Sequence, residues 1–294
     1  MSFSLSSRSK IALHTILFGL FFLLFLYQVR RMPIRLEFYA NWIWLAPVII
    51  LMPVNWFMEF KKWQLQLNFL KLPSTHLVES FTAGMVSDFV IPGIPTNFVG
   101  RIMYFDPAVR VSLIAWNQIT NGIQFIITIL CGMLAIVVLG QGSLFIISTV
   151  IGVLILACMI WLLPRFRSYL RNKIPALFYT EIKSSAVIQY LLKIGFLSTV
   201  RMIVFTTQFV FILQVFGVVF SLELLLWIWL SYLSVTLSPS LFLGKLFVRE
   251  SITVAVFQLG NYASHPILLA SFFVWMINGL FPTIIAWLIN LFKK

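Results

Sequence analysis

Arg101 and Lys245 each stand directly after a glycine and a run of helix breakers, and Arg249 follows four residues beyond Lys245. A cation in apolar surroundings either snorkels to the nearest interface or binds an anion, which is a carboxylate of its own chain or a phosphate from outside. The setting occurs twice. Pro95-Thr96-Asn97-Phe98-Val99-Gly100-Arg101 returns as Pro239-Ser240-Leu241-Phe242-Leu243-Gly244-Lys245, 144 residues further on. The same ungapped register pairs Glu79 with Glu223, Ser87 with Ser231 and Asp106 with Glu250. Gly100 and Gly244 permit close backbone approach. Breakers inside an apolar stretch with a cation just beyond them are how a membrane protein builds a binding site from discontinuous helices.

Other polar residues fall where lipid is expected. Asp88 is twelve residues into an apolar piece, so it is neutral, paired with a cation such as Arg101, or open to water. As the deepest carboxylate it is the residue to carry a proton if movement is coupled to a gradient. Glu59 and Glu250 are the other carboxylates that can pair or take a proton. Arg201 lies too deep in its apolar run for easy snorkelling, and either meets a carboxylate such as Glu59 or faces a cavity. Asn117, Asn121, Gln124 and Thr128 step by four, three and four, one stripe on a helix face that serves either interhelical hydrogen bonding or a hydrophilic path.

These residues must be positioned by membrane helices. Of the 294 residues 61% are hydrophobic and 10% charged, and the mean hydropathy is +1.01. The apolar runs are continuous and about 20 residues long, as α-helical spans require; the ten-residue alternation of an outer-membrane barrel is absent. The net charge of +13 sits mainly in loops and acts as an orientation signal, so no nucleic-acid partner is expected. Cys131 and Cys158 lie inside apolar runs, the histidines are scattered, and no zinc spacing, phosphate-binding glycine loop or dinucleotide fingerprint occurs. No metal or cofactor is expected.

The spacing predicts full spans at about 11 to 29, 38 to 58, 111 to 139, 143 to 163, 186 to 216 and 266 to 290. The intervening segments 77 to 105 and 222 to 259 each hold two apolar pieces broken at the repeated motif. Their first pieces, 77 to 92 and 222 to 237, would be about 24 Å long, short of a hydrocarbon core of ~30 Å, so both are expected to enter and turn back. Asn55 to Lys71, with Trp63 beside Lys61 and Lys62, reads as an interfacial helix. The basic loop 164 to 183 is expected in the cytoplasm with both termini, and the two hairpins then enter from opposite sides. Arg30, Arg31 and Arg35 fall on the outer side, against that orientation. The expected fold is a single all-α polytopic domain over 1–294, six full spans plus two re-entrant hairpins, with repeat A at about 38–139 inverted as repeat B at about 186–290.

At these residues the chain resembles the flippase-like family known as the lysylphosphatidylglycerol synthetase transmembrane region. The resemblance rests on Asn55-Trp56-Phe57-Met58-Glu59-Phe60-Lys61-Lys62-Trp63, on the breaker from Pro92 to Arg101, and on Pro239 to Arg249. It departs from many relatives in that Gly100 is followed directly by Arg101, with no glutamate between. The aminoacyl-transferase domain of the best-known relatives is not in this sequence, so no lysyl-lipid synthesis is expected. The resemblance implies binding and movement of an anionic lipid across the inner membrane. Arg101, Lys245, Arg249 and Arg201 would then hold the headgroup. Two alternatives stand beside it: a membrane-embedded transferase using a polyprenyl-phosphate donor with Asp88 or Glu250 as base, and a non-catalytic partner of an envelope-synthesis enzyme.

Overall fold

The computed structural model describes residues 41–91, 96–140, 184–238 and 246–292, with isolated positions between 19 and 30. Among the described residues the chain is helical and has no strand. Lys245, the breakers 92–95 and 239–244, the expected span 143–163, the loop 164–183 and most of the expected span 11–29 lie outside the described residues.

Among the described residues four helices are long and apolar enough to cross a membrane: Trp42–Phe69, Pro107–Val138, Ser185–Val215 and Ser264–Phe292. Their outer faces expose Ile50, Phe57, Leu130, Leu192, Phe196, Ile203 and Trp287, side chains that water would reject and lipid accepts. Helix α1 (Leu45–Phe69) continues where an interfacial helix was expected. Asn55, Glu59, Lys62, Trp63 and Gln66 recur at the helical period and form a buried polar stripe along α1. The charges at 59 to 62 therefore do not end the span: Glu59 and Lys62 turn inward.

Between α1 and α4 (Pro107–Val138) stand the short helices α2 (Leu77–Val90) and α3 (Asn97–Ile102). Pro107 opens α4, where a missing N–H costs nothing. After α5 (Ser184–Val215) comes a second short pair, α6 (Leu222–Leu237) and α7 (Val248–Leu259). Ser221 caps α6, its Oγ accepting the Leu224 N–H at 3.0 Å. The last apolar helix is α8 (Ser264–Trp275), a π-helical turn (Met276–Leu280) and α9 (Phe281–Phe292).

Helices α1 and α5 run antiparallel. Gln208 Nε2 donates to the Val48 carbonyl at 3.0 Å towards one end, and Phe69 stacks on Tyr190 at 4.5 Å towards the other. Helix α4 begins at that second end, where Trp116 meets Phe69 edge-on at 4.6 Å. Each short pair packs on the long helix of the other half. Thr82 of α2 donates to Asn290 Oδ1 of α9 at 2.8 Å. Gly132 of α4 is so close to α6 that a Cβ there would stand 2.4 Å from that of Leu233. One apolar core lies among α5, α6, α7 and α8, and a second joins Trp63, Phe81, Leu113 and Ala286 of α1, α2, α4 and α9.

Candidate functional site

The packing of α3 on α2 aims a cation inward. Ser87 Oγ stands 3.0 Å from the carbonyls of both Gly84 and Thr96 and accepts the Gly100 N–H at 3.1 Å. Thr96 Oγ1 stands 3.1 Å from the Ser87 carbonyl and 3.2 Å from the Ile91 carbonyl, which share its one proton, and the Thr96 N–H donates to Asp88 Oδ1 at 3.0 Å. The backbone groups left open at a helix break are thus answered by short polar side chains. Gly100 lies against Ala83, where a Cβ would come within 2.1 Å of the Ala83 carbonyl oxygen. Arg101, one residue on, then passes over Gly84, where a Cβ would meet its Cγ at 2.6 Å.

Arg101 ends in a buried cluster centred on Glu59, which is 4% exposed. Arg101 Nη2 lies 3.3 Å from Glu59 Oε1, Arg201 Nη1 lies 2.7 Å from Oε2, and Lys62 Nζ lies 2.8 Å from Oε2. Three cations thus share one carboxylate. Arg101 also donates to Asn117 Oδ1 at 2.9 Å, and Asn117 Nδ2 donates to Asn97 Oδ1 at 2.8 Å. Its guanidinium lies 4.9 Å from the Trp63 ring and 5.5 Å from the Phe81 ring, the geometry of cation–π contact. Arg201 Nε donates to Asn55 Oδ1 at 2.8 Å; Asn55 Nδ2 donates to Asn278 Oδ1, and Asn278 Nδ2 to Gln208 Oε1, each at 3.0 Å. One connected polar network therefore joins α1, α3, α4, α5 and the π-helical turn.

No protein-family model, curated protein or solved structure matches this chain. Its function has to be argued from these side chains.

Among the expected site residues, Arg101, Arg201 and Glu59 come together, and Asn117 joins them. Asn121 reaches Asn97 Oδ1 at 3.5 Å, the edge of hydrogen bonding. Thr128 instead bonds to its own helix at the Gln124 carbonyl, 3.1 Å away, and Gln124 Oε1 has no partner among the described residues. The stripe thus serves the cluster only over its first two residues. Asp88 accepts the Thr96 N–H between α2 and α3, whereas Arg101 passes over Gly84 and forms its ion pair with Glu59 and its hydrogen bond with Asn117. Arg249 and Glu250 form a separate pair, with Arg249 Nη2 2.5 Å from Glu250 Oε1 and 2.9 Å from the Ser271 carbonyl. Ser271 and Asn278 are two turns apart on one face of the last apolar helix, about 10 Å by helical rise.

Lys62, Asn97, Asn278 and Gln208 were not expected in the site. For Lys62 the signal was legible: Asn55, Glu59, Lys62 and Trp63 are spaced four, three and one, which is one helical face. Asn278 and Gln208 gave no such signal, because each is a single amide in an apolar run whose partner lies 70 or more residues away.

Proposed function

We propose that the chain binds an anionic membrane lipid, a phospholipid or polyprenyl-phosphate-linked lipid, and carries its headgroup across the bilayer. The observation that supports this most is the excess of cations over carboxylate in the Glu59 cluster. One carboxylate neutralises one of the three cations, and two positive charges in low-dielectric surroundings call for an anion from outside. Three cations and amide groups would repel a metal ion and suit a phosphate, whose oxygens take bidentate bonds from arginine. Arg201 is the open side of the cluster, its side chain 17% exposed.

The membrane architecture belongs to the same proposal: six spans, with α2–α3 and α6–α7 as re-entrant hairpins of an inverted repeat. Pair α2–α3 leaves from the end of α1 and returns to the start of α4, two places that meet at Phe69 and Trp116. Pair α6–α7 is packed so that Gly260, at the end of α7, lies against Trp227 near the start of α6. The exchange of short pairs between halves, α2 on α9 and α6 on α4, is what a two-fold relation between repeats would produce. Arg249, Ser271, Asn278, Asn55, Arg201, Glu59 and Arg101 then mark a polar route from one hairpin to the other. The resemblance to the flippase-like family is favoured because two of its elements, Asn55 to Trp63 and the breaker ending at Arg101, meet at Glu59.

The test is translocation of a fluorescent anionic phospholipid in vesicles containing the purified protein, read by chemical quenching of the outer leaflet. Arg101→Gln and Arg201→Gln should each slow it at least ten-fold. Arg110→Gln, whose side chain only caps the Phe105 carbonyl, should leave it unchanged. Equal rates in all three variants and the parent would overturn the assignment.

A further inference from the structure

A groove of about 480 Å³ runs between α1 and α5 on the outer surface, separate from the Glu59 cluster. Lys61, Gln64, Leu65 and Asn68 line it from α1; Leu192, Lys193, Phe196 and Leu197 line it from α5. We infer that it is a binding site for one anionic phospholipid of the bilayer, with the phosphate held between Lys61 and Lys193 and an acyl chain lying along Phe196 and Leu197. The inference takes its ligand class from the lipid reading above but does not depend on transport.

Charge complementarity selects the occupant. Each wall carries one lysine and no carboxylate lines the groove. Lys61 Nζ bonds to Gln64 Oε1 at 2.9 Å and lies 5.3 Å from the Phe57 ring, and these neutral partners leave its charge unbalanced. Because that bond uses the Gln64 oxygen, its amide N–H groups remain to donate, as do those of Asn68. A phosphodiester accepts from all four side chains. A protein partner would have to bring a carboxylate into lipid, where a phospholipid already has its phosphate at the boundary.

The depth agrees. Trp42–Phe69 is 28 residues, about 42 Å by helical rise against a hydrocarbon core of ~30 Å, so the helix ends project beyond the core. Lys61 is eight residues from Phe69, within snorkelling reach of the boundary, and the apolar lining continues into the core through Phe196 and Leu197. Lys193 stands on the antiparallel neighbour near the same end, as the Phe69–Tyr190 stack requires. Phe196 is 69% exposed and Leu192 68%, so the acyl side of the groove is open to lipid.

A local probe tests this without interference from the Glu59 cluster. Phe196→Cys is introduced in full-length protein lacking Cys131 and Cys158, labelled with a small fluorophore and placed in phosphatidylcholine nanodiscs. Phosphatidylglycerol or phosphatidylcholine carrying a nitroxide quencher on the acyl chain is then titrated in. Phosphatidylglycerol should reach half-maximal quenching at a mole fraction at least five-fold lower, the effect of about one basic residue at a membrane surface. Lys61→Gln with Lys193→Gln should erase that difference, each single change should erase part of it, and Lys71→Gln, at the same end but outside the groove, should keep it. Leu197→Trp, which fills the floor and retains both lysines, should weaken quenching by either lipid. Equal quenching by the two lipids in the parent, an unchanged preference in the lysine variants, or an equal loss in Lys71→Gln would overturn the site. Translocation is read separately on the same proteins. A groove that selects phosphatidylglycerol in a protein that moves no lipid would overturn the transport proposal and leave this one standing.

Discussion

Glu59 is the residue on which the buried cluster depends. It accepts from Arg201 and faces Arg101 and Lys62, so replacing it with glutamine removes the counter-charge of three cations while preserving shape. Breaking a buried ion pair from one side costs about 3–5 kcal/mol, because the abandoned charge stays desolvated. Glu59→Gln should therefore lower the melting temperature in detergent far more than Arg110→Gln, and adding Lys62→Met to it should recover part of the loss by removing one uncompensated cation. Were Glu59→Gln as stable as the parent, water would already be solvating the cluster or a bound anion neutralising it. Added phosphate-containing lipid raising the variant's melting temperature more than the parent's would identify that anion.

At the scale of elements, the Pro-[Ser/Thr]-x-Phe-x-Gly-cation pattern is explained in its first copy by a division of labour. Thr96 ties the turn, Gly100 allows α3 to lie on α2, and Arg101 is delivered over Gly84. Gly100→Ala would place its Cβ against backbone at Ala83, which cannot move alone, so it should destabilise the packing of α3 on α2 by about 1–3 kcal/mol or prevent it. Gly84→Ala meets mainly the flexible Arg101 side chain, with the Asn97 carbonyl at 2.9 Å, and should cost less stability while displacing the guanidinium. Thermal melts of the two variants beside their lipid binding check this: the first should lose stability, the second binding. The short helices were legible in the sequence, with expected pieces 77 to 92 and 222 to 237 against observed Leu77–Val90 and Leu222–Leu237. Length and breakers are local properties, and the chain states them outright. Glu59 is expected as a partner for Arg201, but the inward turn of Lys62 is not, because charges beside a tryptophan also suit a headgroup layer; the spacing of Asn55, Glu59, Lys62 and Trp63 on one helical face is the local signal that distinguishes the two. Phe247 was illegible: it adopts a left-handed φ of 65° at the start of α7 and packs on Phe22 and Phe25, a strained position set by tertiary contact.

Sidedness belongs to the whole molecule. The end of α1, the start of α4 and the start of α5 meet through Phe69, Trp116 and Tyr190, and Ala286 of α9 packs in the core around Trp63. Lys61, Lys62, Lys71, Arg110 and Lys193 all lie towards that end, and on their charge we propose that it is the cytoplasmic one. The end of α5, the start of α6 and the end of α7 lie towards the other. If α2–α3 re-enters, Ser74 before it and Asp106 after it share the cytoplasmic face; if it crosses, they are separated. If α6–α7 re-enters, Val219 and Ala263 share the outer face. Single cysteines at these four positions, in protein lacking Cys131 and Cys158, should react with an impermeant maleimide in two pairs: Ser74→Cys and Asp106→Cys only from the cytoplasm, Val219→Cys and Ala263→Cys only from outside. All four positions are exposed, so labelling reports side rather than burial. Separation of Ser74 from Asp106 would make α2 and α3 a crossing and end the inverted-repeat proposal. Labelling of Val219 from the cytoplasm would mean that α5 does not cross, and the groove lysines and the Glu59 cluster would then have to be placed in the membrane anew.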